Sequence, residues 1–150
     1  MKTSTIFAVA TTAVIAFGAT AVLAQSDAIK QRMHLMKENG KHAKALVQMV
    51  KGEKPYDAKA VQAAFTQFHE TAEKLPGLFP PNSKTGEDTH AAPKIWENKK
   101  DFDEKAAAFK KAVADNRAKA EGSLDGLKVS LNAVGKTCSN CHDDYRLKKK

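Results

Sequence analysis

The sequence predicts an all-α fold, an antiparallel four-helix bundle, from three observations. Apolar residues recur at steps of three and four along four separate stretches, the spacing that gathers them on one face of a helix. Breaker residues divide the chain into helix, short link, helix, long loop, helix, short link, helix. Aromatic residues make up only 7% of the chain, and Ala and Lys abound where strand formers are thin, after residue 25. Four amphipathic helices bury their stripes best against one another, and short links make neighbours antiparallel.

At 150 residues the chain has room for one domain. Lys and Arg number 25 against 17 Asp and Glu, a formal charge of +8, and charged residues make up 28%. That balance excludes a protein of several membrane spans, and 42% apolar content excludes a disordered chain. Two cysteines are too few for a disulfide scaffold or a four-cysteine zinc site.

Residues 1–24 read as a secretory signal peptide, leaving a domain over 25–150. Lys2 is the only charge before Asp27, an apolar run extends from Ile6 to Ala24, and Val22-Leu23-Ala24 ends it with small residues where signal peptidase reads. An uncleaved anchor is the weaker reading, because the Thr-rich run is only weakly apolar. The processed chain would be exported, hence periplasmic, without a stable membrane anchor, and with 24 basic residues against 17 acidic it would carry +7.

The first helix is expected from about Asp27 to Lys51, capped by Ser26 or Asp27 and ended by Gly52. Its stripe is Ile29, Met33, Met36, Gly40, Ala43, Val47 and Val50. The second follows Pro55-Tyr56 with Asp57 as cap, carries Val61, Phe65, Phe68, Ala72 and Leu75, and stops at Pro76-Gly77. Residues 76–93, rich in Pro and Gly and without periodicity, read as one long loop. The third helix falls within about Ile95–Glu121 on Phe102, Ala106, Phe109 and Val113. Gly122-Ser123 breaks it and caps the fourth, whose rhythm is Leu124, Leu127, Leu131, Val134, Cys138, Cys141 and Tyr145.

The chemistry sits at Cys138-Ser139-Asn140-Cys141-His142. Two cysteines three apart followed at once by histidine is the attachment signature of c-type haem. On a helix, positions 138, 141 and 142 share a face, so two thiols can add to the two vinyl groups of one porphyrin with an imidazole beneath the iron. A Cys138–Cys141 disulfide would close a strained ring inside a helix. A thioredoxin-like pair should open a helix after a strand, and none precedes it here. A zinc site would need a fourth ligand such as His69 or His90, with no paired spacing behind it.

With that motif, the chain resembles the class II c-type cytochromes, the family that includes cytochrome c-prime. The likeness covers essentially residues 27–148. It rests on Cys138–His142 followed by Tyr145-Arg146, on Arg32 with Met36, and on Pro93-Lys94-Ile95-Trp96. The stretches Leu35–Gly40 and Gly52–Asp57 look most similar to the low-spin, methionine-ligated branch. The resemblance implies a periplasmic bundle enclosing one covalent haem c, with the first helix covering the face opposite His142.

The sixth coordination position separates two functions. A methionine sulfur there suits a one-electron carrier, which is not an enzyme; an empty position suits a five-coordinate protein binding nitric oxide or other small gases. The candidates are Met33, Met36, Met49 and, as an imidazole, His34, although methionine on a helix is more often core filling. Met36 is favoured by the resemblance, because the position four residues after Arg32 faces haem in the family. Gly40, one turn on, would leave a small helix surface beside a flat porphyrin. An arginine is most often a solvated charge, but the family pattern pairs Arg32 with a haem propionate, packs Arg146 over the proximal side, and gives Trp96 an edge contact with haem. His42, His69 and His90 read as surface histidines, and Lys148–Lys150 as a solvated tail.

A third reading, a basic protein binding anionic polymers without haem, is weakened because lysines are spread along all four helices and read as solvated faces, with no nucleic acid implied. The positive charge predicts acidic redox proteins as partners. The family implies a homodimer through the first two helices as the alternative to a monomer.

Overall fold

A computed structural model describes residues 17–86 and 88–148, with side chains from residue 27 onward. Most of the apolar run of the expected signal peptide, residues 1–16, and the last two lysines lie outside the described residues.

The order is α1 (Phe17–Val50), α2 (Ala58–Lys74), a one-turn α3 (Lys94–Glu97), α4 (Lys99–Gly122) and α5 (Leu124–Tyr145). The long helices α1, α2, α4 and α5 pack in a closed ring, α1 on α2, α2 on α4, α4 on α5 and α5 back on α1. This is the expected four-helix bundle. Among the described residues the only β pairing is an isolated bridge between Ala91 and Arg146.

The caps explain most boundaries. Asp57 accepts hydrogen bonds from the Lys59 and Ala60 amides, at 2.9 and 3.2 Å, and so starts α2. Ser123 accepts from the Gly126 amide at 3.0 Å and starts α5 one residue after α4 ends. Gly52 has φ +76° and donates its amide to Met49 O, closing α1 with a left-handed residue. The cap expected at Ser26 or Asp27 is not one: α1 runs unbroken through both from Phe17. The Ala-rich turn before them propagates the helix without a stop.

The third helix differs from the expectation in one respect. Asn98, at φ −130° and ψ 58°, interrupts it and separates α3 from α4. The expected loop also contains two 3-10 turns, Leu75–Leu78 and Pro81–Ser83, each with proline in its first turn.

Every stripe residue expected on α2 is buried, with Val61 and Phe65 fully so. Each large apolar side chain removed from water in this way contributes about 1.5–3 kcal/mol. The stripe of α1 is corrected. Met33 and Val47 are exposed, at 36% and 38%, and Gly40 is exposed as well. The buried residues are Ile29, Arg32, Leu35, Leu46 and Met49, with Met36, Ala43 and Val50 half-buried at the flank. An arginine at the centre of the face displaces the apparent apolar rhythm by about one residue.

Two apolar clusters fill the molecule. The larger joins α1, α2, α4 and α5 around Leu46, Phe65, Phe68, Val113 and Leu127. The smaller joins Ile95, Phe102 and Tyr145, with Phe79, Ala91 and Trp96 packed against them. Edge-to-face rings tie this second cluster together: Phe102 meets Phe79 at 4.7 Å and Tyr145 at 5.4 Å between centroids.

Candidate functional site

The cysteine pair lies on the last turns of α5, where the two clusters meet. Cys138 packs against the larger cluster and Cys141 against the smaller. Both thiols are free and half-buried. Burial pushes both thiols above the ordinary range. For Cys138 its own backbone and Thr137 partly offset this; for Cys141 Lys105 partly offsets it. His142 is half-buried beside them. Burial lowers its pKa, the Arg146 charge lowers it further, and Asp143 works against both. A depressed histidine is neutral at pH 7 and offers a lone pair to a metal.

The end of α5 is fixed by its neighbours. Tyr145, 3% exposed, donates its hydroxyl to Asp101 of α4. Burial, then that hydrogen bond and the Asp101 charge, push its phenol well above its ordinary pKa. Asp144 pairs with Lys94 at 2.8 Å and Lys105 at 3.0 Å, which hold its carboxyl below the ordinary range. The backbone closes the arrangement: the Ala92 amide donates to Tyr145 O, and the Leu147 amide to His90 O.

Arg32 is buried, 3% exposed, and not a solvated surface charge. Its two terminal nitrogens donate to Leu78 O and Ser83 Oγ, and to Ser83 O and Thr89 Oγ1, all at 2.8–2.9 Å. Its guanidinium lies 4.8 Å from the Phe79 ring and 5.7 Å from the Trp96 ring. Trp96 is half-buried and donates its indole N–H to Phe79 O and Pro80 O. Arg146 is exposed, and its backbone bridges to Ala91.

The remaining candidates separate cleanly. Met49 is buried in the larger cluster and Met33 is exposed, whereas Met36 is half-buried on α1, which packs on α5. His34 is exposed and acts on Glu70 of α2. His69 is exposed and pairs with Glu73 at 3.9 Å, while His42 and His90 are half-buried and not fully at the surface. His42 lines a shallow groove between α1 and α2 with Lys59, Gln62 and Glu70. Ser83 and Thr89, which satisfy Arg32, were not singled out in the sequence, since hydroxyl residues in an aperiodic loop carry no pattern.

A family model described as Cytochrome C' matches residues 27–146. The chain belongs to the cytochrome c' family. It is 42% identical to a cytochrome c-556 of Rhodopseudomonas palustris over 85% of this chain and 88% of that one. It is 40% identical to a cytochrome c' of the same organism, over 90% and 92%. The solved cytochrome c' of Rhodopseudomonas palustris superposes with a TM-score of 0.78 at 39% identity, covering 83% of this chain and 98% of that one. A structural model of oxidized cytochrome c556 from Rhodopseudomonas palustris gives 0.76 at 40%, covering 83% and 99%.

The cofactor of a cytochrome of this family is covalent haem c, and the residues present fit it. Two free thiols and a neutral imidazole on one turn supply the donor set. A flat apolar group held by both cysteines would touch both clusters. The buried Arg32 charge meets only neutral acceptors among the described residues, which is compatible with an anionic substituent nearby.

Proposed function

We propose that the chain is a periplasmic one-electron carrier whose single haem is held by Cys138 and Cys141 and ligated by His142 and Met36. The observation that carries this reading is the placement of the motif: both thiols and the imidazole lie half-buried at the junction of two apolar clusters, against the bundle partner α1. Met36 is favoured because Met33 is exposed and Met49 belongs to the far core. Arg32, Trp96 and Arg146 complete the cofactor-binding set. When bound, the haem supplies reversible one-electron chemistry, and a thioether ligand favours the reduced iron.

The protein's own part is to fix the ligands, exclude water and present charge. Phe79, Phe102 and Tyr145 give a dry wall on the Cys141 side. A turnover site is not part of the reading, so the chain is not an enzyme. Its positive charge favours acidic redox proteins as partners over nucleic acid, and the exposed face of α1 with Met33 and Val47 is open to a homodimer. Electron exchange with an acidic partner should slow as salt rises from 0.01 to 0.1 M, where the Debye length falls from about 30 Å to about 10 Å. A rate indifferent to salt contradicts the steering.

Export follows from the apolar run and its small-residue end. In support, solved relatives cover 83% of this chain while the chain covers 98% of theirs. No helix of the described residues is long and apolar enough to cross a membrane. Intact mass of periplasmic protein should equal residues 25–150 plus one haem. A mass that retains residues 1–24, or lacks the haem, refutes the corresponding part.

A second reading is a five-coordinate gas binder. It is favoured by the 40% identity to a relative named cytochrome c' and by the likeness to the nitric oxide complex of a point mutant of cytochrome c prime from Alcaligenes xylosoxidans, at 31% identity and TM-score 0.73.

A further inference from the structure

The geometry points to Arg32 as a positioning residue for the haem site: it locks the loop after α2 onto α1, and through that loop holds Phe79 and Trp96 as the wall beside Cys141. The inference rests on Cys138, Cys141 and His142 being the haem-holding set, and is indifferent to which residue occupies the sixth position.

Four observations converge. All four N–H groups on the terminal nitrogens of Arg32 are directed at the loop: Leu78 O, both oxygens of Ser83, and Thr89 Oγ1. The acceptors span twelve residues of chain, from Leu78 to Thr89, so one side chain gathers both 3-10 turns and the stretch beyond them. Two of the acceptors are side-chain hydroxyls, and Ser83, fully buried, donates onward to Pro80 O at 3.0 Å. Phe79 and Trp96, the rings that flank the guanidinium, pack in the same cluster as Cys141. The far end of the loop is latched separately, by the Ala92 amide on Tyr145 O.

A lysine could supply the charge but not this fork, which needs a planar group with donors in fixed directions. A carboxylate of the haem would compete with these loop acceptors for the terminal N–H groups. The loop role and a direct haem role therefore predict different behaviour when the acceptors are changed and the arginine is left in place.

The test uses holoprotein carrying Ser83→Ala with Thr89→Val, which removes both hydroxyl acceptors, beside Arg32→Lys, which keeps the charge. Hydrogen exchange at the Ser83 amide and the Trp96 indole should rise about tenfold in both variants. Exchange at the Val61 and Leu127 amides should not change. The reduction potential of the haem should shift in both, because a looser wall admits water beside the cofactor whatever occupies its sixth position. If the double variant exchanges and titrates with electrons as wild type does, the proposal fails. It also fails if exchange rises while the potential is untouched, since the lock would then be structural only. An effect of Arg32→Lys alone would leave contact with the haem as the arginine's only role and overturn the loop role. Thr89→Val by itself keeps the test standing should the double variant not fold. Colour that extracts from wild type into acidified acetone would sink the attachment reading, and leave the exchange result to decide the loop on its own.

Discussion

At the scale of single residues, the proposed ligation by Met36 is the part of the functional reading that one substitution tests. Met36→Leu preserves volume and apolar character, so the bundle should lose less than about 1.5 kcal/mol. It removes the sulfur lone pair, so the ferric protein should become high-spin and the ferrous protein should begin to bind carbon monoxide readily. Met33→Leu, on an exposed position, should do neither. An unchanged Met36→Leu spectrum beside a shifted Met33→Leu or His34→Ala spectrum assigns the ligand elsewhere. The family and its cofactor were legible from the Cys138–His142 motif because its spacing encodes a covalent geometry that few other chemistries share. The surroundings of Arg32 were not. Its partners are two backbone carbonyls and two hydroxyls up to 57 residues away, a set that no local pattern announces.

At the scale of elements, the sequence shows its stripes most clearly where the buried face is apolar throughout. The α2 rhythm of Val61, Phe65, Phe68, Ala72 and Leu75 is buried at every position. The α1 rhythm failed by about one residue because Arg32 occupies the face, and because Asn39 meets Thr71 across the α1–α2 contact. The approach of α4 to α5 was also hidden. A Cβ on Gly126 would stand 2.0 Å from Lys119 O, so glycine there lets the first turn of α5 close on the last turn of α4. At the other end of α5, Tyr145 docks the helix that carries the Cys138–His142 motif on α4 through Asp101. Its phenol is raised by burial first, then by the Asp101 hydrogen bond and the charges of Asp101 and Asp144. A raised acid favours the folded state while the phenol is neutral. That contribution is therefore complete below the unfolded value of about 10 and is lost as pH rises above it. Denaturant midpoints should fall above that pH in wild type and fall less steeply in Tyr145→Phe. Parallel curves would remove Tyr145 from the alkaline transition.

At the scale of the whole molecule, the four-helix ring, the two clusters and the motif at their junction form one arrangement. The larger cluster joins the four long helices, while the smaller cluster depends on the loop, α3, α4 and the last turn of α5. Fold class was readable because four periodic stretches and their breakers admit few packings. The division into two clusters was not, since it arises where Asn98 breaks α3 from α4 and where the loop folds back on Arg146. This division places the thiols of one helical turn against different walls. The proposed one-electron carrier needs a closed sixth position.

The most direct measurement of that claim is the optical spectrum of the purified wild-type holoprotein in both oxidation states, with and without carbon monoxide. The account predicts a low-spin ferric form with weak far-red thioether-to-iron absorption, and a ferrous form that carbon monoxide leaves essentially unchanged. A high-spin ferric spectrum with ready carbon monoxide binding would contradict it, and would make Met36 a side chain that covers the haem without ligating it.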